Sequence, residues 1–319
     1  MERTRDRFVG RTHAHTGFEA ADLALRKRSQ GLTASVVIPA LNEEATVGRV
    51  AGILKRTLVD DVGLVDEVLV VDADSVDGTA PAARAAGARV VRQSEVLPAA
   101  GTGPGKGEAL WKGLAASSGD LVVFVDADIL DIGPRFAVGL LGPLLTDPDV
   151  QFVKASYDRP LRIGAQLHPT GGGRVTELLA RPLISSFWPE LGWLAQPLSG
   201  EYAGRRELFE SLPFVRGYGV ELALLVDIVE RHGPDAIAQV DLGRRIHDHQ
   251  SLEALGRMAA EILHVALDRL SHQGRLVVTD PLPHQLLQPG RDEEGRLAIQ
   301  AHDVGVSERP PLAEWRERR

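Results

Sequence analysis

The sequence predicts an α/β protein in which helices cover a mainly parallel sheet. Short apolar runs rich in β-branched residues alternate with helical patterns, and acidic or glycine-rich clusters follow several of those runs. Such alternation is typical of right-handed βαβ units. We expect strands at residues 35–39, 67–71, 88–91, 121–125, 150–156 and 236–241. We expect one helix that starts near Asn42. We expect further helices over residues 77–87, 105–118, 175–187, 219–231 and 251–272.

The first βα unit shows the signals on which these assignments depend. The run at 35–39 is short, apolar and ended by Pro39, as expected of a strand buried on both faces. Asn42 can cap the following helix, and Glu43 and Glu44 would lie in its first turn, where the helix dipole favours negative charge. Because ligands bind at the carboxyl edge of open α/β sheets, polar residues that follow strands are the first candidates for a site.

Composition excludes several functional classes. The 319 residues include no cysteine, and the formal net charge is −8 at pH 7. Any metal site must therefore use His, Asp or Glu, and a basic face for duplex nucleic acid is not expected. No apolar run approaches the roughly 20 residues that span a bilayer. We expect a cytoplasmic protein without nucleic-acid or membrane partners.

The strongest local signal is Asp126-Ala127-Asp128, which directly follows the run at 121–125. Hard divalent cations prefer oxygen ligands, and Mg²⁺ is typically held by one or two carboxylates together with substrate phosphates. An Asp-x-Asp string is also common on protein surfaces. Its place at the end of a buried strand favours a metal site that serves a nucleotide diphosphate-sugar.

Two other segments fall at the same predicted edge. Residues 39–44 form a turn whose backbone groups and Glu43 carboxylate can hold a uracil and a ribose, and Asp72 at the end of the second strand can do similar work. Residues 103–110 place Lys106 among glycines at a helix start, which suits a diphosphate. They lack the Walker A spacing, and a flexible surface loop is an equally good interpretation.

The second half of the chain contains two more candidate segments. In residues 171–177, three glycines open onto a helix start beside Arg174, an arrangement that favours anion binding over a plain linker. In residues 218–221, the Glu221 carboxylate can accept hydrogen bonds from sugar hydroxyls. Arg245 can bind phosphate if the chain returns to the same edge, but a lone His247 is more often structural than a metal ligand.

Taken together, these segments resemble a known family. The opening at residues 35–44 is similar to that of many family-2-like GT-A glycosyltransferases. More discriminating segments resemble the actinobacterial glucosyl-3-phosphoglycerate synthases, in order and with similar spacing between about residues 33 and 256. Those segments are residues 103–111, 171–178, 196–203, 213–221 and 236–243. The resemblance implies a GT-A (Rossmann-like) fold with a smaller acceptor-binding C-terminal part.

The resemblance also implies an activity. The family transfers glucose from UDP-glucose to the 2-hydroxyl of 3-phosphoglycerate, with retention at the anomeric carbon and with a divalent metal, Mg²⁺ or Mn²⁺. It further implies a homodimer formed through the second half of the chain. We accordingly divide the chain into an entry segment (1–33), a nucleotide-sugar-binding half (34–156), an acceptor-binding half (157–275) and a tail (276–319) that wraps the surface or is partly disordered.

Carried over residue by residue, the resemblance implies four sets of site residues. The nucleotide-sugar would contact Pro39, Ala40, Leu41, Glu43, Asp72, Ala73, Lys106, Asp126 and Ala127. The metal would be bound by Asp128 and His247. The acceptor would contact Gly173, Arg174, Thr176 and His249. The catalytic set would be Glu221 on the glucose hydroxyls, with Tyr218 and Arg245 beside the reacting groups.

Three positions depart from the family pattern. Ala73 and Ala127 stand where serines are expected, and each change removes one hydrogen-bonding group. His249 stands where the family has asparagine near the acceptor, which bears on acceptor preference.

Several readings of the chemistry stay open. Since no carboxylate is an obvious covalent nucleophile, we favour a front-side displacement assisted by the leaving phosphate. A mannosyl-3-phosphoglycerate synthase, or an enzyme that accepts both donors, would share nearly every motif. An inverting polyprenyl-phosphate glycosyltransferase shares only the opening motif. A non-catalytic nucleotide-sugar-binding protein is the alternative from another class.

Overall fold

The computed structural model describes residues 2–158, 160–163, 166–171, 173–245, 251–292 and 294–318. The strands are β1 Thr12–Ala14, β2 Ala34–Ala40, β3 Glu67–Asp72, β4 Arg89–Arg92, β5 Leu121–Phe124, β6 Phe152–Asp158, β7 Pro160–Ile163, β8 Gln166–Gly171, β9 Tyr202–Arg205, β10 Phe214–Val215, β11 Ile237–Arg244, β12 Gln285–Arg291, β13 Leu297–Asp303 and β14 Glu308–Arg309. The α-helices are α1 Glu2–Arg11, α2 Ala20–Ser29, α3 Val47–Leu54, α4 Thr79–Ala85, α5 Lys106–Ala116, α6 Arg135–Thr146, α7 Arg181–Phe187, α8 Arg206–Glu210, α9 Val220–His232, α10 Leu252–His272 and α11 Leu312–Glu317. Pi-helical turns at Lys55–Asp61 and Thr176–Ala180 follow α3 and precede α7.

One eight-stranded sheet, with the order β1-β11-β6-β9-β5-β2-β3-β4, organises the molecule. Strand β9 is antiparallel to β5 and β6, and the other neighbouring pairs are parallel. This confirms the mainly parallel sheet. The carboxyl ends of β2, β3, β5, β6 and β11 therefore meet at one edge of the sheet. Because β9 runs the other way, its amino end joins them there.

Two hydrophobic clusters cover the two faces of this sheet. In β2, Val36 and Ile38 pack in the cluster that contains α3 and α6, whereas Val37 packs in the cluster that contains α5, α9 and α10. A strand buried on both faces reads as a continuous apolar run, which is why the run at 35–39 was recognisable. Within the described residues, none of the helices is long and apolar enough to cross a bilayer.

The first predicted helix start is wrong by several residues. Asn42 has a left-handed backbone (φ 57°) and lies in a turn, and α3 begins only at Val47. The backbone N–H groups of Asn42 and Glu43 donate to Ser75 Oγ and Thr79 Oγ1 at 2.9 and 2.7 Å. Both N–H groups therefore donate to the segment that follows β3. The residues that we expected to cap and begin a helix instead form a turn after β2.

The structure contains regular elements where the sequence suggested loops. The stretch between the predicted strand at 150–156 and the predicted helix at 175–187, for which we expected no regular element, contains the antiparallel pair β7–β8. The tail contains the antiparallel pair β12–β13, strand β14 and helix α11. The entry segment contributes β1, which extends the main sheet beside β11. Both ends of the chain thus pair with strands of the central part, β1 with β11 and β14 with β10. The division of the chain into four parts stays a prediction.

Candidate functional site

The end of β5 places Asp126 and Asp128 at the carboxyl edge of the sheet. Their side chains are 21 and 47% exposed, whereas Ala127 between them is buried. The strand ends at Phe124, and residues 127 and 128 lie in the turn that follows it. Both predicted carboxylates therefore face the edge, and Ala127 points into the core.

Lys106, the first residue of α5, joins two acidic side chains at this edge. Its Nζ lies 2.7 Å from Asp126 Oδ1 and 3.1 Å from Glu221 Oε1, at the start of α9. Burial alone would lower the pKa of Lys106, but these two carboxylates outweigh burial and hold its pKa well above the ordinary value. Three residues from three separate predicted motifs thus form one cluster.

Arg245 closes the cluster from the end of β11. It is 4% exposed, and its Nη2 lies 3.2 Å from Asp126 Oδ2 and 3.0 Å from Asp128 Oδ1. Its backbone N–H donates to the Asp158 carbonyl at 3.1 Å, which fixes it beside the end of β6. The chain thus returns to this edge after β11, which was the condition for Arg245 to bind phosphate there; that binding stays a prediction.

Glu201 and Tyr157 complete this charge network, and sequence reasoning did not assign either of them a role. Glu201 is fully buried, and the Tyr157 hydroxyl donates to its Oε2 at 2.6 Å. Arg245 Nη1 lies 3.0 Å from Glu201 Oε1 and donates to Tyr157 Oη at 2.7 Å. A Cβ on Gly200 would lie 2.3 Å from Asp126 Oδ2 and 2.4 Å from Lys106 Nζ, so a larger residue there would displace these two side chains. A Gly-Glu pair directly before a strand was the available signal.

The electrostatics of the two aspartates differ in a way that suits a cation site. Burial would raise the pKa of Asp126, but Lys106 and Arg245 outweigh burial and lower it. At Asp128, burial and the nearby Asp126 carboxylate raise the pKa. Asp128 is thus a half-exposed carboxylate whose charge Arg245 offsets only in part. Such a carboxylate fits a ligand of a Mg²⁺ or Mn²⁺ ion that also binds substrate phosphates.

The described residues do not supply a complete protein cage for a metal. Within them, no group of three or more His, Asp or Glu side chains is arranged to hold an ion. The predicted ligand His247 and the predicted acceptor contact His249 both lie outside the described residues. An incomplete protein cage agrees with Mg²⁺ chemistry in general, because Mg²⁺ usually keeps ligands from substrate and water.

Residues predicted to bind the nucleotide line the ends of β2 and β3. Pro39 and Ala40 end β2, and Leu41 follows with 57% exposure. Burial raises the pKa of Glu43, and Asp128 and Asp126 raise it further, which places Glu43 beside the metal motif.

The end of β3 is partly engaged in its own loop. Asp72 is buried and accepts a hydrogen bond from the Ser75 backbone at 3.0 Å, and Ala73 N–H donates to the Ala40 carbonyl. In this structure the Asp72 carboxylate thus braces the loop that follows its strand, and its proposed contact with a nucleoside stays a prediction.

The predicted acceptor segment forms a separate helix start. Gly173 has a left-handed backbone (φ 74°), and its carbonyl accepts from Glu177 N–H at 3.1 Å. Arg174 is half-buried and Thr176 is buried. The glycine–arginine motif therefore opens onto a helical turn, as predicted, and backbone N–H groups at such a start favour anions.

A buried lysine lies close to the cluster. Lys154 in β6 is 1% exposed, its Nζ has no hydrogen-bond partner among the residues that the structure describes, and it lies 4.5 Å from the centre of the Tyr202 ring. Burial lowers its pKa to about 7 despite the acidic Glu221, Glu201 and Asp126. A lysine within an apolar strand was visible in the sequence, but no motif pointed to it.

Comparison with known proteins agrees with this geometry. Residues 35–154 match the family model described as glycosyl transferase family 2. The chain is 46% identical over 309 residues to glucosyl-3-phosphoglycerate synthase of Petrotoga mobilis, a match that covers 97% of this chain and 95% of that protein. The coverage extends the resemblance to both ends of the chain, beyond the range that the motifs covered.

Solved structures share the whole fold. Mannosyl-3-phosphoglycerate synthase from Rubrobacter xylanophilus is 41% identical, with a TM-score of 0.89 and coverage of 98% of both chains. Glucosyl-3-phosphoglycerate synthase from Mycobacterium tuberculosis, in complex with Mn²⁺, UDP-glucose and phosphoglyceric acid, is 45% identical, with a TM-score of 0.80 and coverage of 93% of this chain and 95% of that chain. The predicted GT-A fold and the resemblance are confirmed, and the chain belongs to the glucosyl-3-phosphoglycerate synthase family.

Proposed function

We propose that this chain is a retaining, metal-dependent transferase that moves glucose from UDP-glucose to the 2-hydroxyl of 3-phosphoglycerate. The observation that carries the proposal is the contact of Lys106 with both Asp126 and Glu221 at the carboxyl edge of the sheet. Asp126 belongs to the metal motif, where the diphosphate would bind, and Glu221 is suited to bind sugar hydroxyls. Because Lys106 contacts both, the sites for the two ends of one nucleotide-sugar donor are adjacent. The relatives named above support the choice of donor and acceptor.

The donor residues follow from their places at the edge. Pro39, Ala40, Leu41 and Glu43 would hold the uridine, with Asp72, Ala73 and Ala127 beside it. Lys106 would bind the diphosphate, and its raised pKa keeps the amine positively charged at neutral pH. Asp128, with His247, would hold the divalent cation, which when bound neutralises charge on the diphosphate leaving group.

The acceptor residues use a different chemistry. Gly173 and Thr176 offer the backbone and hydroxyl donors of a helix start, and Arg174 offers a planar fork that matches phosphate or carboxylate. His249 would complete this group. Fixing the acceptor by its charged ends leaves its 2-hydroxyl as the group presented to the sugar.

The transfer breaks the bond between the anomeric carbon and the diphosphate oxygen and forms one to the acceptor oxygen. Glu221 is buried at the start of α9 and contacts Lys106, a place suited to hold glucose hydroxyls. Arg245 and Tyr218 would lie beside the reacting groups. We favour front-side displacement, in which the acceptor proton passes to the departing phosphate oxygen and the configuration is retained.

An assay that detects the released nucleoside diphosphate, UDP or GDP, tests the proposal. UDP-glucose, UDP-mannose and GDP-mannose are each supplied with Mn²⁺, with and without 3-phosphoglycerate. We expect release from UDP-glucose that depends on 3-phosphoglycerate. Release that is equal without the acceptor would contradict the assigned acceptor. Binding of a donor without any release would identify a non-catalytic nucleotide-sugar-binding protein.

Mannose transfer is the second candidate, and one observation favours it. The Rubrobacter xylanophilus structure that matches 98% of this chain carries the name mannosyl-3-phosphoglycerate synthase. The mannose arms of the same assay decide between the two donors. Faster acceptor-dependent release from GDP-mannose than from UDP-glucose would replace glucose by mannose in the proposal.

We also propose a homodimer in the cytoplasm. Leu287, Leu297 and Ile299 are 58, 82 and 68% exposed, and the β12–β13 register places them on one face of the hairpin. An apolar face of this kind favours contact with a second copy. We expect Ile299→Glu to convert dimer to monomer in light scattering, whereas a monomeric wild type would contradict the dimer. The cytoplasmic location is supported by the absence of cysteine.

A further inference from the structure

The C-terminal strap, residues 304–312, runs beside a segment of the donor site. Its strand β14 pairs antiparallel with β10, and the Arg216 N–H donates to the Ser307 carbonyl at 2.9 Å. Strand β10 leads within a few residues into Tyr218 and Glu221. The strap is therefore a second strand that supports the entry to α9.

Arg309 connects the strap to the first turn of α5. Its guanidinium donates to both carboxylate oxygens of Glu108 at 2.6 Å, and Glu108 is fully buried. Glu108 lies two residues after Lys106 on the same helix. Bidentate charge-assisted bonds are both strong and specific in direction. Arg309 thus holds the turn that presents Lys106, together with Arg216, whose Nε lies 3.2 Å from Glu108 Oε2.

Glu308 connects the strap to α9 through a second arginine. Glu308 Oε1 forms an ion pair with Arg269 Nη1 of α10. Arg269, which is 3% exposed, also binds both oxygens of Asp227 in α9, at 2.8 and 2.9 Å. Helix α9 begins at the residue before Glu221. Neighbouring residues of one short strand therefore hold the two helices whose first turns carry Lys106 and Glu221.

The loop around Lys106 has little freedom to compensate for a loss of this support. The Gly107 N–H donates to the Arg216 carbonyl at 2.8 Å, and a Cβ on Gly105 would lie 2.2 Å from the same oxygen. Trp111 Nε1 donates to the Pro310 carbonyl at 3.0 Å. The start of α5, the residue after β10 and the strap are thus packed as one unit.

We propose that Glu308 and Arg309 are positioning residues of the donor site, which set the contact between Lys106 and Glu221 from the C-terminal strap. The nature of the ligand, a nucleotide diphosphate-sugar, rests on the proposed function. The ordinary alternative is that these buried ion pairs only stabilise the fold. The two roles can be distinguished by comparing variants that are equally destabilised. Donor affinity should fall only in the variant that loses a positioning residue.

The test compares Arg309→Met with a matched stability control, Leu312→Ala. Leu312 is fully buried in the same tail, and its side chain takes no part in the Arg309–Glu108 pair. For each full-length variant we would measure the melting temperature, the Kd of UDP with Mn²⁺ by calorimetry, the KM for UDP-glucose, and hydrogen exchange of residues 106–111 and 217–224. Arg309→Lys and Glu308→Gln are milder variants that keep the test usable if Arg309→Met does not fold.

We expect Arg309→Met to raise the Kd and the KM by about 10- to 100-fold, because displaced binding groups are costly. Exchange should rise in both segments, and Arg309→Lys should recover part of the loss. Leu312→Ala should lower the melting temperature at least as far with a Kd within about twofold of wild type. Wild-type affinity and exchange in Arg309→Met, or equal weakening in Leu312→Ala, would overturn the proposal. A wild type that binds no UDP would contradict the proposed function instead, while the exchange data would still decide the role of the strap.

Discussion

The central charge cluster and the glycine-rich acceptor segment are two different ways to prepare a site for anionic ligands. In the cluster, Lys106 and Arg245 are already paired with carboxylates and are largely buried. At Gly173–Thr176 the means are a left-handed glycine, a half-buried Arg174 and a helix start. The cluster therefore depends on internal ion pairs, whereas the acceptor segment depends on backbone direction and one fork-shaped side chain.

The largest expected effect is in the cluster, at Asp128. We expect Asp128→Asn to lower kcat by about 10³-fold or more, roughly 4 kcal/mol, since it removes a charged ligand of the cation. Because the folded pKa of Asp128 is raised by burial and by Asp126, its charge opposes folding above its unfolded pKa. The variant should thus be at least as stable as wild type in the absence of metal, by chemical unfolding at pH 7.

Asp131→Asn is the matched control, because Asp131 follows Asp128 closely and binds Arg135 at 2.7 Å. It should keep wild-type kcat. If Asp128→Asn also kept wild-type kcat in saturating Mn²⁺, the metal assignment would be wrong.

The second prediction concerns Lys154 near the cluster. Its folded pKa of about 7 lies below the unfolded value, so the folded state binds fewer protons between about pH 7 and 10.5. The contribution of Lys154 to the free energy of unfolding therefore rises with pH between about pH 7 and 10.5 and is lowest below pH 7. We expect Lys154→Met to raise the free energy of unfolding by about 3 kcal/mol at pH 6, with a smaller gain at pH 9.

Lys112→Met provides the contrast for that measurement. Lys112 is also buried, but its amine donates to the carbonyls of Leu97 and Gly101 at 3.2 and 2.8 Å. Its removal should destabilise the protein, because buried acceptors lose their partner. A loss of stability at pH 6 in both variants would mean that Lys154 has a compensating partner after all.

The sequence predicts the parts of the site that depend on local patterns, but not those that depend on contacts between distant residues. The strands that lead to Asp72 and to Asp126-Ala127-Asp128 could be predicted because their apolar runs are local, and Lys106 could be predicted from the glycines beside it. The partners of Arg245 were not, since Glu201 reaches the edge only because β9 inserts antiparallel between β5 and β6. The Arg309–Glu108 pair joins residues 201 positions apart, and no local pattern reports such a contact.

A smaller effect is expected at the acceptor segment. Arg174→Lys keeps the charge but loses the planar fork, so the KM for 3-phosphoglycerate should rise about 10- to 100-fold. The KM for UDP-glucose and the melting temperature should stay near wild type. Arg181→Lys on the same helical stretch, where Arg181 pairs with Glu177 at 2.8 Å, should leave both KM values unchanged. Equal changes in both KM values for Arg174→Lys would refute a separate acceptor site.

The smallest effect is expected at Ala127, which lies between the two aspartates. Ala127 is 4% exposed, so Ala127→Ser adds a hydroxyl in a largely buried place. We expect the KM for UDP-glucose to change by less than about fivefold, as one neutral hydrogen bond contributes about 1 kcal/mol or less. A tenfold gain in affinity would show that the missing serine limits donor binding in this chain.

The central claim is the transfer of glucose with retention through the charge cluster, and the NMR spectrum of the product tests it most directly. The chain is incubated with UDP-glucose, 3-phosphoglycerate and Mn²⁺, and the sugar proton at the anomeric carbon is observed. We predict one α-linked glucosyl product, joined through the 2-hydroxyl of the acceptor and absent with Asp128→Asn. A β-linked product, or glucose released to water alone, would contradict the account.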